Sequence, residues 1–418
     1  MRTNKQVKGF GFLAAAVLAA GIVSPIGAAS AHVAGNSVMK LPHHMVVFGD
    51  GLTQSSEPGQ EEMMDKPYGY VERLYESSLY TGRTLLKNYG LDGLTSEGLR
   101  NYVLAIESNM DTITDHVQPD LRDLRAASLF ADIPATLEEV KAADLITINL
   151  GLSDYGDNLP ETLRNQTDQE FNTLHSSVIA KFSENVRAAL TTLHQLAPEA
   201  EIVIGDAYSA YPANADKRVH DRMTEITNDI SETLDAIVES MESPSFHLHA
   251  AHVADAFVGH EMEYTHILES DNRPTQEGYE MISQAFSQAI WGGQYRHEMK
   301  AEPINLVLKG HEFKPMFQPE LINDRAYVGL RELAAAVGAE VSWDEEDQAA
   351  MVSYRDNHVT FKVDSSVIYI NGEPKTIEDA VQLRHEGTKT YVPLRAISEG
   401  LGFDVQYIPQ SNTAFINE

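Results

Sequence analysis

Four short segments hold residues at spacings that suit chemistry at the tips of strands. Val46-Val47-Phe48-Gly49-Asp50-Gly51-Leu52-Thr53 is an apolar run ending in a glycine-flanked turn. Asn88-Tyr89-Gly90-Leu91-Asp92-Gly93-Leu94-Thr95-Ser96 is a second, and Ile146-Thr147-Ile148-Asn149-Leu150-Gly151-Leu152-Ser153-Asp154 is a third. Arg273-Pro274-Thr275-Gln276-Glu277-Gly278-Tyr279 opens a helix, with proline near its start. Acyl transfer needs a nucleophile, a base to deprotonate it and a third group to orient that base. Hydroxyls near the first turn are Thr53, Ser55 and Ser56. The chain has no cysteine, which excludes a thiol nucleophile, disulfides and thiolate metal sites. In Phe246-His247-Leu248-His249-Ala250-Ala251-His252, imidazoles recur along one short run, with His260 and His266 close by. Histidines at alternate strand positions share a face and bind zinc or copper. His43 and His44 precede the first strand and read as solvated.

The elements that position these segments follow from periodicity. Met45–Phe48, Leu85–Tyr89, Leu145–Leu150, Glu201–Ile204 and Phe246–His252 read as strands, with long helical patterns between them. The clearest helix carries Phe171, Leu174, Val178, Phe182, Val186, Leu190 and Leu193 on one face at three- and four-residue spacing. Strands separated by helices imply a parallel sheet covered on both faces. In such sheets the site lies at the carboxyl ends of the strands, in the loops after Phe48, Tyr89 and Leu150.

In order and spacing, the four segments resemble the SGNH (GDSL) hydrolases, a family that cleaves esters, often of lipids or carbohydrates. The resemblance covers about residues 45–292. It implies an α/β fold, a flavodoxin-like three-layer α/β/α parallel sheet. It also implies a serine nucleophile in the first block, oxyanion donors from a glycine N–H and an asparagine side chain in the second and third, and an Asp-x-x-His pair before the proline of the last. Carried over, the nucleophile falls on Gly51, between the matching Asp50 and Leu52. The oxyanion glycine is Gly93, and the oxyanion asparagine falls on Ser153, a shorter donor. The base falls on Arg273, in a register anchored by Pro274 and Gly278-Tyr279, and its acidic partner on Ser270. Glycine cannot attack, and arginine stays protonated and cannot take a proton. Loss of one triad member costs orders of magnitude in rate, so a pseudoenzyme is expected, with no intact catalytic residue. The alternative is an active secreted GDSL-type esterase or lipase with its nucleophile moved to Thr53, Ser55 or Ser56.

Arg273 has two readings. It is a planar donor fork at the edge of a glycine-floored pocket, suited to an anionic or hydroxylated ligand, or it pairs with Asp271 or another nearby carboxylate. The family's last core strand falls on Phe246–His252, and Asp255-Ala256-Phe257 matches its usual sequel. His247, His249 and His252 therefore read as strand residues, and no metal or other cofactor is expected.

From about Pro303 strands become short and turn signals frequent, as at Asn371-Gly372. Arg325-Ala326-Tyr327-Val328-Gly329-Leu330-Arg331 is echoed by Lys389-Thr390-Tyr391-Val392-Pro393-Leu394-Arg395. Gly338-Ala339-Glu340-Val341-Ser342-Trp343 is likewise echoed by Gly402-Phe403-Asp404-Val405-Gln406-Tyr407. This region resembles the domain named after the N-terminal part of copper amine oxidases, whose Tyr-Val-Pro-Leu-Arg motif stands complete at Tyr391–Arg395. The first copy has Gly329 where proline is usual, and the second has Tyr407 in place of tryptophan. The resemblance implies a surface or wall-associated module without a copper centre, and Arg331 and Arg395 read as helix-start residues that pair with acids.

The expected organisation is a signal peptide (1–31), a hydrolase-like domain (32–292), a polar linker (293–302) and a small C-terminal α+β repeated module (303–418). Arg2, Lys5 and Lys8 precede an apolar stretch from Phe10 to Val23, and Ala29-Ser30-Ala31 suits a signal peptidase cutting before His32. The apolar run is short for a bilayer span, so no stable membrane insertion is expected after cleavage. The net charge of −31 disfavours nucleic acid and anionic lipid as partners. The expected partner is a cell-wall component or a carbohydrate or ester ligand, met outside the cell.

Overall fold

The computed structural model describes residues 43–55, 58, 68–293, 304–323, 325–385 and 388–418. The expected signal peptide, Ser56 and nearly all of the expected linker lie outside the described residues.

Five strands, β1 (His43–Gly49), β2 (Thr84–Asn88), β3 (Leu145–Asn149), β4 (Glu201–Gly205) and β5 (Leu248–Ala251), form one sheet in the order β2-β1-β3-β4-β5. Every pairing is parallel. This is the flavodoxin-like order, and the fold is a three-layer α/β/α sandwich about a parallel sheet. Side chains alternate across the sheet. Val46, Phe48, Ile146, Ile148, Ile202 and Ile204 face one core, shared with α2 (Ser96–Ser108), α3 (Ile133–Lys141), α4 (Asp168–Leu196) and α5 (Lys217–Met241). Met45, Val47, Leu145 and Val203 face the other, shared with α1 (Tyr70–Leu79) and α6 (Gln276–Trp291). Along α4 the periodic face predicted above buries Phe171, Phe182, Val186, Leu190 and Leu193. The fifth strand is shorter than its apolar run, because Phe246 closes a tight turn with Ser243 before the ladder begins.

The C-terminal region is built of antiparallel sheets and two short helices. One four-stranded sheet contains β6 (Asn305–Leu308), β7 (His311–Phe313) and, at its far side, β17 (Asp404–Ile408) and β18 (Thr413–Asn417). A second contains β8 (Glu320–Ile322), β9 (Arg325–Gly329), β15 (Gln382–Arg384) and β16 (Lys389–Pro393). Between them run five strands in meander order, β10 (Glu340–Asp344), β11 (Ala349–Tyr354), β12 (Asn357–Lys362), β13 (Val367–Ile370) and β14 (Glu373–Thr376). The β13–β14 hairpin turns on Asn371 and Gly372 at φ 52° and 89°, the left-handed pair that a two-residue loop requires. The sequence repeat is a structural one. β9 and β16 pair antiparallel about Val328 and Val392, with Tyr327 opposite Pro393 and Tyr391 opposite Gly329. Helices α7 (Leu330–Val337) and α8 (Leu394–Gly400) follow the two strands. Among the described residues no helix is long and apolar enough to cross a membrane.

Candidate functional site

Backbone bonds gather three of the four segments at the carboxyl end of the sheet. Leu91 N donates to Gly49 O (2.9 Å), joining the second loop to the first. Asp50 N donates to Asn149 O (3.0 Å), joining the first to the third strand. Ser96 N donates to Asp154 Oδ2 (2.9 Å), and Ser96 Oγ to Asp154 Oδ1, joining the second loop to the third. Gly51, Gly93 and Ser153 are therefore neighbours by construction. Asp50 caps the short 3₁₀ turn Gly51–Gln54 through Leu52 N.

At Gly51, where the resemblance expects the nucleophile, the neighbouring space holds a side-chain tip. A Cβ on Gly51 would collide with Asp92 Oδ1. Beside the glycine stands the carboxylate of the exposed Asp92. The Asp92 loop is itself held, since Asp92 N donates to Asp123 Oδ2 (2.9 Å) and Arg125 binds both Asp123 and the Gly90 carbonyl. At the two positions expected to donate to an oxyanion, the donors are not taken up within the protein. Among the described residues the Gly93 N–H and Ser153 Oγ have no hydrogen-bond partner within the protein.

The electrostatics of the turn are those of crowded acids. Burial pushes Asp50 up to about 7, and the nearby Asp92 and Asp154 carboxylates push the same way against the Leu52 N–H bond. Burial also raises Asp154, although Ser96 bonds oppose it, and raises Glu72, in the first turn of α1.

Arg273 takes the second of its two readings. Its Nε lies 3.0 Å from both Asp271 oxygens, its Nη2 2.7 Å from Oδ2, and its backbone N–H 2.9 Å from Oδ1. The guanidinium holds Asp271 below the usual carboxylate range. The segment is fixed from behind, because Tyr208 Oη donates to Asn272 O (2.8 Å) and His266 N to Arg273 O (3.0 Å). Ser270 is exposed, at φ 63°.

The two described hydroxyls near the turn, Thr53 and Ser55, are poorly placed to attack a substrate. Thr53 is fully buried, with Oγ1 3.0 Å from Tyr70 Oη. Ser55 is buried against Gly69. The histidines of the fifth segment diverge to separate carboxylates: His249 lies 3.7 Å from Glu201, and His252 3.7 Å from Asp206. The neighbouring Asp206 carboxylate, reinforced by Asp235, raises the His252 pKa despite partial burial. Arg395 pairs with Glu399 one turn on (3.2 Å), as read from its place at the helix start.

Sequence reasoning missed Asp92 as a site residue, although it stands one position before the glycine it singled out. It also missed a groove of about 250 Å³ between the amino half of α5 and the short helix Val253–Phe257. Hydroxyl and amide side chains, Ser209, Thr224, Asn228 and Ser231, line it together with Glu232 and Asp255.

Residues 307–416 match the family model of the copper amine oxidase N-terminal domain. The chain is similar to a solved lipase from a goat rumen metagenome, at 16% identity over 60% of this chain and 98% of that one, with a TM-score of 0.41. It is similar to a phospholipase A1 from Streptomyces albidoflavus NA297, at 13% identity over 60% and 100%, with a TM-score of 0.41. A catalytic mutant of an acetylxylan esterase from Geobacillus stearothermophilus is similar at 15% identity over 60% and 97%, with a TM-score of 0.37. No curated protein sequence matches the chain.

Proposed function

We propose that this chain is an exported SGNH-like protein that does not hydrolyse esters and instead binds a hydroxylated cell-envelope ligand at the carboxyl end of its sheet. One observation carries the reading: where the resemblance expects the nucleophile stands Gly51, which has no side chain, with the Asp92 carboxylate beside it. The base position cannot compensate, since Arg273 is clasped by Asp271. The ligand class follows from what is left. Unused donors at Gly93 and Ser153 stand among acceptor carboxylates, a mixture that suits sugar hydroxyls and repels anions. Export rests on the charged, apolar and small-residue order of residues 1–31. The test pairs two measurements on the purified mature protein. Calorimetric titration with acylated and deacylated xylan or peptidoglycan fragments should give binding, and short-chain aryl esters should give no turnover above buffer. Serine-reactive phosphonate labelling that disappears in Ser55→Ala or Ser56→Ala would overturn the reading and establish a working esterase.

A further inference from the structure

Helix α1 touches two distant places. Its amino end meets the Gly51 turn: Tyr70 Oη lies 3.0 Å from Thr53 Oγ1, and Gly69 packs directly on Ser55. Midway, Arg73 reaches α6, with Nε 3.2 Å from Glu280 and Nη2 2.8 Å from Gln276 Oε1, just beyond the Arg273 segment. Its carboxyl end lies at the opposite, amino edge of the sheet, one short connection before β2. There it meets the C-terminal module. Leu79, Val307 and Phe415 form a small buried cluster, and the Tyr80 ring stands edge-on to Phe415 at 5.1 Å. The last carbonyls of a helix have no partner within it. Asn417 Nδ2 donates to one of them, Leu79 O, at 2.8 Å. Asn417 is 2% exposed, and its Oδ1 has no partner. A buried amide held in this way satisfies the helix end at a cost to the module's own strand. Arg83 adds an ion pair with Asp404 at 3.7 Å, and Gly310 abuts the Tyr80 carbonyl too closely for a side chain.

We infer that the C-terminal module is a clamp on α1: by capping its carboxyl end it stabilises the helix whose amino end holds the Gly51 turn. Through that helix the clamp sets how readily the loop 49–55 opens. This holds whether or not that loop binds a ligand, so it stands or falls apart from the proposed function.

Hydrogen exchange on the full-length mature protein tests it, with Tyr80→Ala loosening the contact from one side and Asn417→Ala from the other. Tyr369→Ala, on an exposed strand face of the module, is the control. Exchange of 70–79 and 49–55 should quicken about tenfold or more in both interface variants and stay unchanged in the control. Quickening confined to 305–417 would overturn the inference, as would no change anywhere. If Tyr80→Ala unfolds the chain by circular dichroism, Asn417→Ala, which removes only the cap, decides alone.

Discussion

Asp92 stands guard over Gly51: a Cβ built on the glycine meets Asp92 Oδ1 first and has Asp92 Cγ at 3.4 Å. The Asp92 carboxylate thus stands against the position where the resemblance expects a nucleophile. Restoring the serine alone would set a hydroxyl against an acid that must swing away.

Esterase activity should therefore return only when Asp92 is removed as well. Gly51→Ser with Ser270→Asp and Arg273→His is expected to fold and to remain near buffer rates with aryl esters. Adding Asp92→Ala should bring weak turnover. Ser153→Asn should raise it further, since one oxyanion donor is worth roughly 10²–10³ in rate. A folded but inert five-site variant would show that the cleft geometry itself has drifted from the family's.

Asp50 predicts a pH dependence of stability. Its carboxyl titrates near 7 in the folded chain against an ordinary 3.8. Between those values the folded state holds a proton that the unfolded state has released, so stability falls as pH rises from about 4 to about 7 and levels off above. Asp50→Asn keeps an oxygen for the Leu52 N–H and removes the charge. Melting curves should show the variant more stable than the parent at pH 8, with the difference vanishing near pH 4. Equal melting temperatures at pH 8 would contradict the assignment.

The Arg273–Asp271 clasp is a modest structural pair. Both side chains are partly exposed, so Arg273→Ala should cost about 1 kcal/mol or less at neutral pH. Asp271 is depressed in the folded state, so its contribution is present above the ordinary carboxylate range and disappears as pH falls through the lowered value. Urea melts at pH 7 and pH 2.5 measure both statements. A cost that persists at pH 2.5 would assign Arg273 a role other than this pair.

The repeat makes a prediction at Gly329, where its first copy departs from proline. Gly329 has φ −61° and ψ 114°, and Pro393, its counterpart in the second copy of the repeat, has φ −56° and ψ 126°. A Cβ at 329 has no neighbour closer than 3.9 Å. Gly329→Pro should thus be accommodated without strain and stabilise by ~0.4–1 kcal/mol through the unfolded chain. A lower melting temperature would mean that the Gly329 N–H is needed.

Much of this was readable in the amino-acid order. The core strands announced themselves because a strand buried on both faces is an apolar run, as at Leu145–Asn149. The α4 face announced itself by helical period, and the repeat by its near-identical Tyr-Val-x-Leu-Arg. The placement of Gly51, Gly93 and Ser153 in adjoining loops followed from the same order. Asp92 did not, because its position over Gly51 depends on how two loops after different strands fold against each other. The choice of Arg273 between ligand and Asp271 was likewise left open, since a spacing of two residues allows the pair without requiring it. The contact of Asn417 with Leu79 spans 338 positions and has no local signature.

The parallel pairing of β6 with β18 has a consequence for the order of assembly. β6 lies between β18 and β7, so it keeps one unpaired edge until residues 413–417 exist. A chain emerging amino end first can close the sheet of residues 43–251 long before that. The earlier-made body therefore waits with the carbonyl of Leu79 uncapped, and the strand that completes the later-made one also delivers Asn417 to it. Completion of the module and its attachment become one late event, and a chain stopped short of β18 would lose both together.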